Sequence, residues 1–161
     1  MSIRGNTFGH RTLLLTLTAL LAGCQLSVRY QIDGKLNPNP LGEATDLVVI
    51  PFFVTENTRE DFAKLTYDQL EQEREKPVPG RVATELQTIR ATVDEYSKDA
   101  HQPYSGRLLL SQPSGTFQHL GLAANFYIKS GKNCCLVVPL SELDSHTVVI
   151  DANGLSWQPR H

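Results

Sequence analysis

The chain has 161 residues, a formal net charge of −2 and 40% hydrophobic residues. This length fits one domain, which can bury enough apolar surface to fold without disulfides. Arg4 and Arg11 both lie within the first 23 residues, so the remainder is more acidic than the whole chain. The sequence therefore lacks the basic footprint of a nucleic-acid-binding protein, and we expect no nucleic-acid partner.

The first 24 residues have the layout of a secretory signal. Arg4, His10 and Arg11 form a basic start, and residues 12–21 form an uncharged, largely apolar run. A run of about ten residues is too short to cross a bilayer as a helix, which needs roughly 20. We therefore predict that residues 1–23 are a removable signal peptide rather than a permanent membrane anchor.

The end of this segment, Leu21-Ala22-Gly23-Cys24, resembles the lipobox of bacterial lipoproteins. The resemblance implies cleavage between Gly23 and Cys24, and attachment of lipid, including palmitate-type acyl chains, at Cys24. The alternative is an ordinary secretory signal cut at a nearby Ala-x-Ala-like site. Gln25 follows the cysteine where an Asp would imply retention at the inner membrane. The resemblance therefore implies the periplasmic face of the outer membrane, with residues 24–161 forming a single lipid-anchored periplasmic domain.

Two strands are predicted next, separated by a long exposed loop. Residues 26–33 alternate apolar and polar side chains, which is typical of a strand that is buried on one face. Residues 34–44 contain two Gly, two Pro and two Asn residues, which favour a loop. Residues 46–54 are rich in β-branched and aromatic residues and predict a second strand. Pro51 has no N–H to donate, so we expect an edge or a bulge there.

Two helices are predicted in the middle of the chain. Thr58 and Asp61 have the spacing of a capping box, so an amphipathic helix is expected from residue 59 to about residue 74. Residues 81–100 also carry apolar side chains at helical spacing, which predicts a second helix. The apolar positions are Phe62, Leu65, Tyr67 and Leu70 in the first helix, and Val82, Leu86, Ile89 and Val93 in the second.

Short strands separated by turn signals follow Pro103. This spacing predicts an antiparallel sandwich. The predicted strands cover residues 107–111, 120–128, 134–140 and 147–150, and a last one covers residues 155–157 after a turn at residues 151–154.

Cys134 and Cys135 are adjacent and lack the C-x-x-C spacing of redox or zinc motifs. One interpretation is a redox switch or a link to another chain. The other is structural: one cysteine faces the core and its neighbour faces the opposite side of a strand.

No residue pattern indicates an enzyme. No two histidines have metal-ligand spacing, and no serine lies in a G-x-S-x-G motif. Cys134 or Cys135 could be paired with His119 or His146 as nucleophile and base, but cysteines in an apolar strand are usually inert. We expect no catalytic residue, no metal site and no cofactor.

Several segments behind the lipobox together resemble one family. They are the first strand, residues 36–39 (Leu-Asn-Pro-Asn) with Gly42, the apolar strand from 47 to 53, residues 61–65 (Asp-Phe-Ala-Lys-Leu) in the first helix, and residues 120–127 (Leu-Gly-Leu-Ala-Ala-Asn-Phe-Tyr). Their succession is similar to TssJ, the outer-membrane lipoprotein of type VI secretion systems.

The resemblance implies a mainly β fold: a transthyretin-like antiparallel β-sandwich with one or two added helices. It also implies a partner, the periplasmic C-terminal region of a TssM-like inner-membrane protein, bound through the loop between the first two strands. The residues expected at that contact are Asn37, Pro38, Asn39, Pro40 and Leu41. The alternative for this loop is a solvated turn without a partner.

Two features depart from the family pattern: the long polar stretch from 73 to 106 and the adjacent cysteines. They leave a second interpretation open, a generic periplasmic outer-membrane lipoprotein that binds a small ligand or serves another envelope assembly.

Overall fold

The structure is a computed structural model that describes residues 25–91, 104–129 and 132–160. The predicted signal peptide and Cys24 lie outside the described residues. Two 3-10 turns, Glu56–Thr58 and Leu140–Glu142, accompany the strands and helices. The described elements are β1 (Gln25–Ile32), β2 (Leu47–Val54), α1 (Arg59–Phe62), α2 (Tyr67–Glu75), β3 (Arg81–Ala83), β4 (Gln87–Ile89), β5 (Tyr104–Ser111), β6 (His119–Ala124), β7 (Cys135–Pro139), β8 (His146–Asp151) and β9 (Gly154–Pro159).

The strands form two sheets. The first sheet has the order β5-β1-β8-β9, and the second has the order β3-β2-β6-β7 with β4 also paired to β2. A bridge between Asn133 and Gly154 joins the two sheets along one side. The predicted mainly β sandwich with one or two added helices is confirmed. One departure from the antiparallel expectation is that β1 and β8 run parallel.

The main core lies between the two sheets, and β1 shows how the sequence directs side chains into it. Val28, Tyr30 and Ile32 are buried, whereas Arg29 between them is exposed. Because successive side chains of a strand point to opposite faces, this alternation places one face of β1 in the core. The predicted half-buried strand is confirmed.

The strand β2 is apolar throughout because both of its faces are covered. Leu47 and Val49 belong to the core between the sheets. Ile50, Phe52 and Val54 belong to a second cluster, formed with the helices on the other side of the same sheet. The helices contribute Phe62, Tyr67 and Leu70 to this second cluster.

Pro51 lies opposite a bulge, as expected. Phe52 pairs with Ala83 and Val49 pairs with Gln87, so the facing segment has one residue more than β2 over this interval. The carbonyl of Pro51 accepts a hydrogen bond from the Thr84 N–H at 2.8 Å. The N and C=O of a strand residue point to the same side of the strand. The Pro51 nitrogen, which carries no proton, therefore faces the bulge, where the regular hydrogen-bond ladder is already interrupted.

The single helix predicted from residue 59 to 74 is wrong, because the chain forms two helices with an elbow at residues 63–66. Thr58 makes no side-chain cap. The capping box is formed instead by Thr66, which accepts from the Gln69 N–H, while the Gln69 side chain accepts from the Thr66 N–H. The elbow lets Phe62 and Leu70 both reach the sheet, and this tertiary packing decides where the helices begin.

The predicted helix from 81 to 100 is wrong over its described part. Residues 81–83 and 87–89 form β3 and β4, which pair with β2. Unpaired backbone groups along β2 are satisfied by this pairing, and the β-branched residues Val82, Thr88 and Ile89 are compatible with strands. The rest of the predicted helix, residues 92–100, lies outside the described residues.

The later predicted strands correspond to β5 to β9, with different ends. The strand predicted to reach residue 128 ends at Ala124, and the turn at residues 151–154 joins β8 to β9 as predicted. In the described part of the chain, neither helix is long and apolar enough to cross a membrane.

Candidate partner-binding loop

The loop between β1 and β2 lies at the end of β1 that is remote from Gln25. Eight strand residues at about 3.3 Å each separate the two ends by about 25 Å. The loop contacts the connection between β6 and β7, because Asn37 forms hydrogen bonds with Asn125 and Tyr127. Two connections at one end of the sandwich are thus joined.

Asn37 anchors this loop. Its side chain is buried, and its Nδ2 donates to the Asp46 carbonyl at 2.8 Å and to the Asn125 carbonyl at 3.3 Å. The Tyr127 N–H donates to Asn37 Oδ1 at 2.5 Å. The Thr45 hydroxyl donates to the Asn37 carbonyl. The backbone φ of Asn37 is 40°, a region in which Asn is several-fold enriched among non-Gly residues.

The tip of the loop is a tight turn closed by Asn39. The Gly42 N–H donates to the Asn39 carbonyl at 2.8 Å, and the Asn39 N–H donates to the Glu43 carbonyl at 2.9 Å. Asn39 Oδ1 accepts from the N–H groups of Leu41 at 2.9 Å and Glu43 at 3.1 Å. An Asn side chain that bonds the backbone two residues on is typical of turns. Pro40 restricts the turn further, because its ring locks φ.

Leu41 protrudes from this turn. Its side chain is 84% exposed, more than any other large apolar residue described. Single exposed leucines are common on protein surfaces. This one is held on a turn that its neighbours have already ordered, so less conformational entropy is lost when a partner covers it.

The five residues predicted for partner contact therefore have different roles in the structure. Asn37 is buried and maintains the loop, Pro38 and Asn39 are half-buried, and Pro40 and Leu41 are exposed. The predicted contact itself stays a prediction. Of these five residues, Pro40 and Leu41 supply the accessible surface.

Two exposed residues lie next to the loop, and their exposure does not follow from the sequence pattern. Tyr127 is 59% exposed and Ile128 is 41% exposed. They continue an apolar run, which predicts a strand up to residue 128. The signal that could have separated them is Asn125, a residue that is disfavoured in strands and favoured in turns.

The structure does not form the thiol and histidine couples considered above. His119 lies 3.4 Å from the Glu56 carboxylate, and His146 contacts Ser145 and stacks on Trp157 at 5.2 Å. Among the described residues, no group of three or more His, Cys, Asp and Glu side chains could hold a metal ion.

Comparison with solved structures finds this architecture in secretion-system proteins. The lipoprotein TssJ1 from Pseudomonas aeruginosa matches with a TM-score of 0.59 and 13% identity, over 86% of this chain and 98% of that chain. Lip from Serratia marcescens, a membrane-bound component of the Type VI Secretion System, matches with a TM-score of 0.57 and 9% identity, over 85% and 98%. A structure described as the T6SS protein TssM C-terminal domain (869-1107) from EAEC matches with a TM-score of 0.57 and 14% identity, over 84% and 98%.

No protein-family model matches the chain, and no curated protein sequence matches it. The structural likenesses define a class of fold, a two-sheet sandwich with helices packed on one sheet. More particularly, the chain has a TssJ-like fold, which confirms the expected resemblance at the level of the fold. The structures named above are components of a secretion system rather than enzymes.

Proposed function

We propose that this chain is an outer-membrane lipoprotein of a type VI secretion system that binds the periplasmic C-terminal region of a TssM-like inner-membrane protein. Three observations support the proposal. The fold is TssJ-like, a solved structure whose description names the TssM C-terminal domain contains a chain of this fold, and the segment that ends at Cys24 resembles a lipobox. The single observation that carries it is the TssJ-like fold, and the exposed Leu41 on its closed turn is the proposed point of contact.

The geometry offers a simple way to couple two attachments. The proposed lipid is on Cys24, directly before β1, and the proposed contact loop directly follows β1. The strand β1 pairs along its whole length with β5 and over three residues with β8. A force applied between the lipid and the partner would act along the axis of β1. The hydrogen bonds of β1 to β5 and to β8 would then resist this force together.

The test is capture of envelope proteins by the tagged full chain, processed in cells and extracted from solubilised envelopes. We compare the unmodified chain with Leu41→Asp, which places a charge at the proposed contact. The matched control is Leu109→Asp, because Leu109 is 53% exposed and lies on β5, away from the loop. A buried charge without a partner is strongly unfavourable in an interface, so Leu41→Asp should reduce capture by at least about tenfold.

The proposal predicts recovery of a large inner-membrane protein with the unmodified chain and with Leu109→Asp, but not with Leu41→Asp. Equal recovery with all three would move the contact away from Leu41. Recovery of no such protein with any form would favour the generic lipoprotein instead. Replacing residues 37–41 together would be a poorer test, because it would also remove the buried anchor Asn37.

A further inference from the structure

The adjacent cysteines at the start of β7 bring their sulfur atoms into contact. Cys134 Sγ lies 3.2 Å from Cys135 Sγ. Neighbouring residues inside a regular strand would direct their side chains to opposite faces. Here Cys134 precedes β7 and Cys135 is its first residue, so the two side chains do not have to diverge. The interpretation that the two cysteines face opposite sides of a strand holds only in part: Cys134 packs against both hydrophobic clusters and Cys135 against the cluster beneath the helices, yet their sulfur atoms meet.

Cys135 is the inner member of the pair. It is buried in the cluster between the second sheet and the helices. Its Sγ donates to the Leu65 carbonyl at 3.1 Å, and Leu65 lies in the elbow between α1 and α2. Burial, together with the hydrogen bond to Cys134, raises the pKa of the Cys135 thiol. This thiol is shielded from direct attack by an external reagent.

Cys134 is the outer member. It is half-buried and lines a cavity of about 310 Å³, together with Tyr67, Phe126, Lys129 and Lys132. Lys129 Nζ lies 2.8 Å from the Asp68 carboxylate, and Lys132 Nζ lies 4.9 Å from the centre of the Phe126 ring. The cavity is open to solvent, so the part of its wall formed by Cys134 is accessible from outside the protein. A small disulfide reagent can therefore reach one thiol, with the second in contact behind it.

We propose that Cys134 and Cys135 form a redox site that closes to a vicinal disulfide by exchange with a disulfide oxidant. The Cys134 thiolate attacks one sulfur of the oxidant, which breaks the oxidant's S–S bond and forms a mixed disulfide. Cys135 then attacks Cys134 Sγ and displaces the oxidant's second thiol. The two protons of the cysteines end on the two thiols of the reduced oxidant, and two electrons pass from the protein to the oxidant.

The same geometry makes the bond reversible. Adjacent cysteines close a small ring, whose disulfide departs from unstrained geometry, and strained disulfides are the more easily reduced ones. Closure also removes the Cys135 proton that binds the Leu65 carbonyl. The elbow between the helices loses one hydrogen bond in the oxidised form. The proposed redox site is independent of the partner proposed above.

The test uses the purified full chain in glutathione buffers of graded potential. The reaction is quenched with acid, free thiols are alkylated, and the peptide that contains both cysteines is identified by mass spectrometry. We expect this peptide to lose two hydrogen atoms at oxidising potential and to regain both alkylation sites on reduction. A peptide that is alkylated twice at every potential would overturn the proposal. A disulfide between two chains, found in place of the two-hydrogen loss within this one peptide, would also overturn the proposal.

Two single variants test the order of attack. Cys135→Ser retains a hydroxyl that can donate to the Leu65 carbonyl, but it removes the resolving thiol. Its Cys134 should therefore accumulate the glutathione adduct about tenfold above the unmodified chain. In Cys134→Ser, Cys135 should stay unmodified until denaturant is added. Equal modification of Cys134 and Cys135 in the two variants would contradict the assigned roles.

A measurement on the unmodified chain does not depend on how the variants fold. Phenylarsine oxide bridges two neighbouring thiols through one arsenic atom. We expect one equivalent to protect both Cys134 and Cys135 from alkylation. Protection of neither cysteine, or of one alone, would overturn the proposed pair.

Discussion

Asn37 connects two loops at one end of the sandwich through three side-chain hydrogen bonds. Its amide group satisfies the Asp46 carbonyl, the Asn125 carbonyl and the Tyr127 N–H at once. Buried backbone groups that lose their partners cost free energy, so this one side chain stabilises the shape of the loop rather than a contact with a partner. Leu41 then depends on Asn37 for its position.

Replacing Asn37 should destabilise the protein. In Asn37→Ala, three backbone groups lose their partner, and we expect a loss of about 2–3 kcal/mol in the free energy of unfolding, measured by denaturant titration. Asn37→Gly is the matched control, because glycine accepts the φ of 40° without strain but makes no side-chain hydrogen bond. A similar loss in both variants identifies the hydrogen bonds as the cause. If Asn37→Gly retains the full stability, the backbone conformation is the cause instead.

The packing of the helices on the second sheet depends on a glycine in β6. A Cβ at Gly121 would lie 2.5 Å from the Phe62 ring, which is fully buried. Phe62 also meets Phe52 edge-on, with ring centres 5.3 Å apart. The ring is thus held from two sides. Gly121 and Ala123, on the face of β6 that carries the helices, create the space in which α1 lies.

Gly121→Ala should therefore weaken this packing. The added methyl group forces Phe62 to shift, and we expect a loss of about 1–3 kcal/mol in the free energy of unfolding, measured by denaturant titration. A double-mutant cycle with Phe62→Leu separates this clash from a general effect on β6. The alanine should cost clearly less in the Phe62→Leu background. An equal cost in both backgrounds would refute the clash.

At the scale of the whole molecule, the proposed function requires two attachments at opposite ends of β1. The acyl chains on Cys24 would supply the first, because each buried methylene group contributes about 0.8 kcal/mol and two or more chains hold a protein stably in a membrane. The loop that carries Leu41 would supply the second. A folded domain that lacks either attachment cannot link an inner-membrane protein to the outer membrane.

Cys24→Ser tests the first attachment. We expect the domain to fold but to lose its place in the outer-membrane fraction and to fail in supporting type VI secretion, because a serine cannot receive the thioether-linked lipid. Fractionation and a secretion assay measure the two effects, and circular dichroism of the extracted protein checks folding. Gln25→Asn is the matched control, because it changes the neighbouring residue and leaves the thiol of Cys24 in place. Secretion at the normal level in Cys24→Ser would contradict an anchoring role.

Local patterns in the sequence determined much of this protein: the alternation in β1, the continuous apolar run of β2, the bulge opposite Pro51 and the loop between these strands. Each depends on residues that are close in the chain. The resemblance also indicated a TssJ-like fold and the loop that carries Leu41. The sequence assigned Asn37 to the partner surface, because it cannot show that a polar residue finds three buried partners.

Only the tertiary structure decided the elements whose partners are distant in the chain. Residues 81–83 and 87–89 became strands because the backbone of β2 needed partners, although their apolar spacing also fitted a helix. The elbow before α2 follows from the space above Gly121, and the contact between Cys134 and Cys135 follows from where β7 begins. For the strands and the elbow, packing and hydrogen bonding between distant segments outweighed a local preference of about 1 kcal/mol or less per residue.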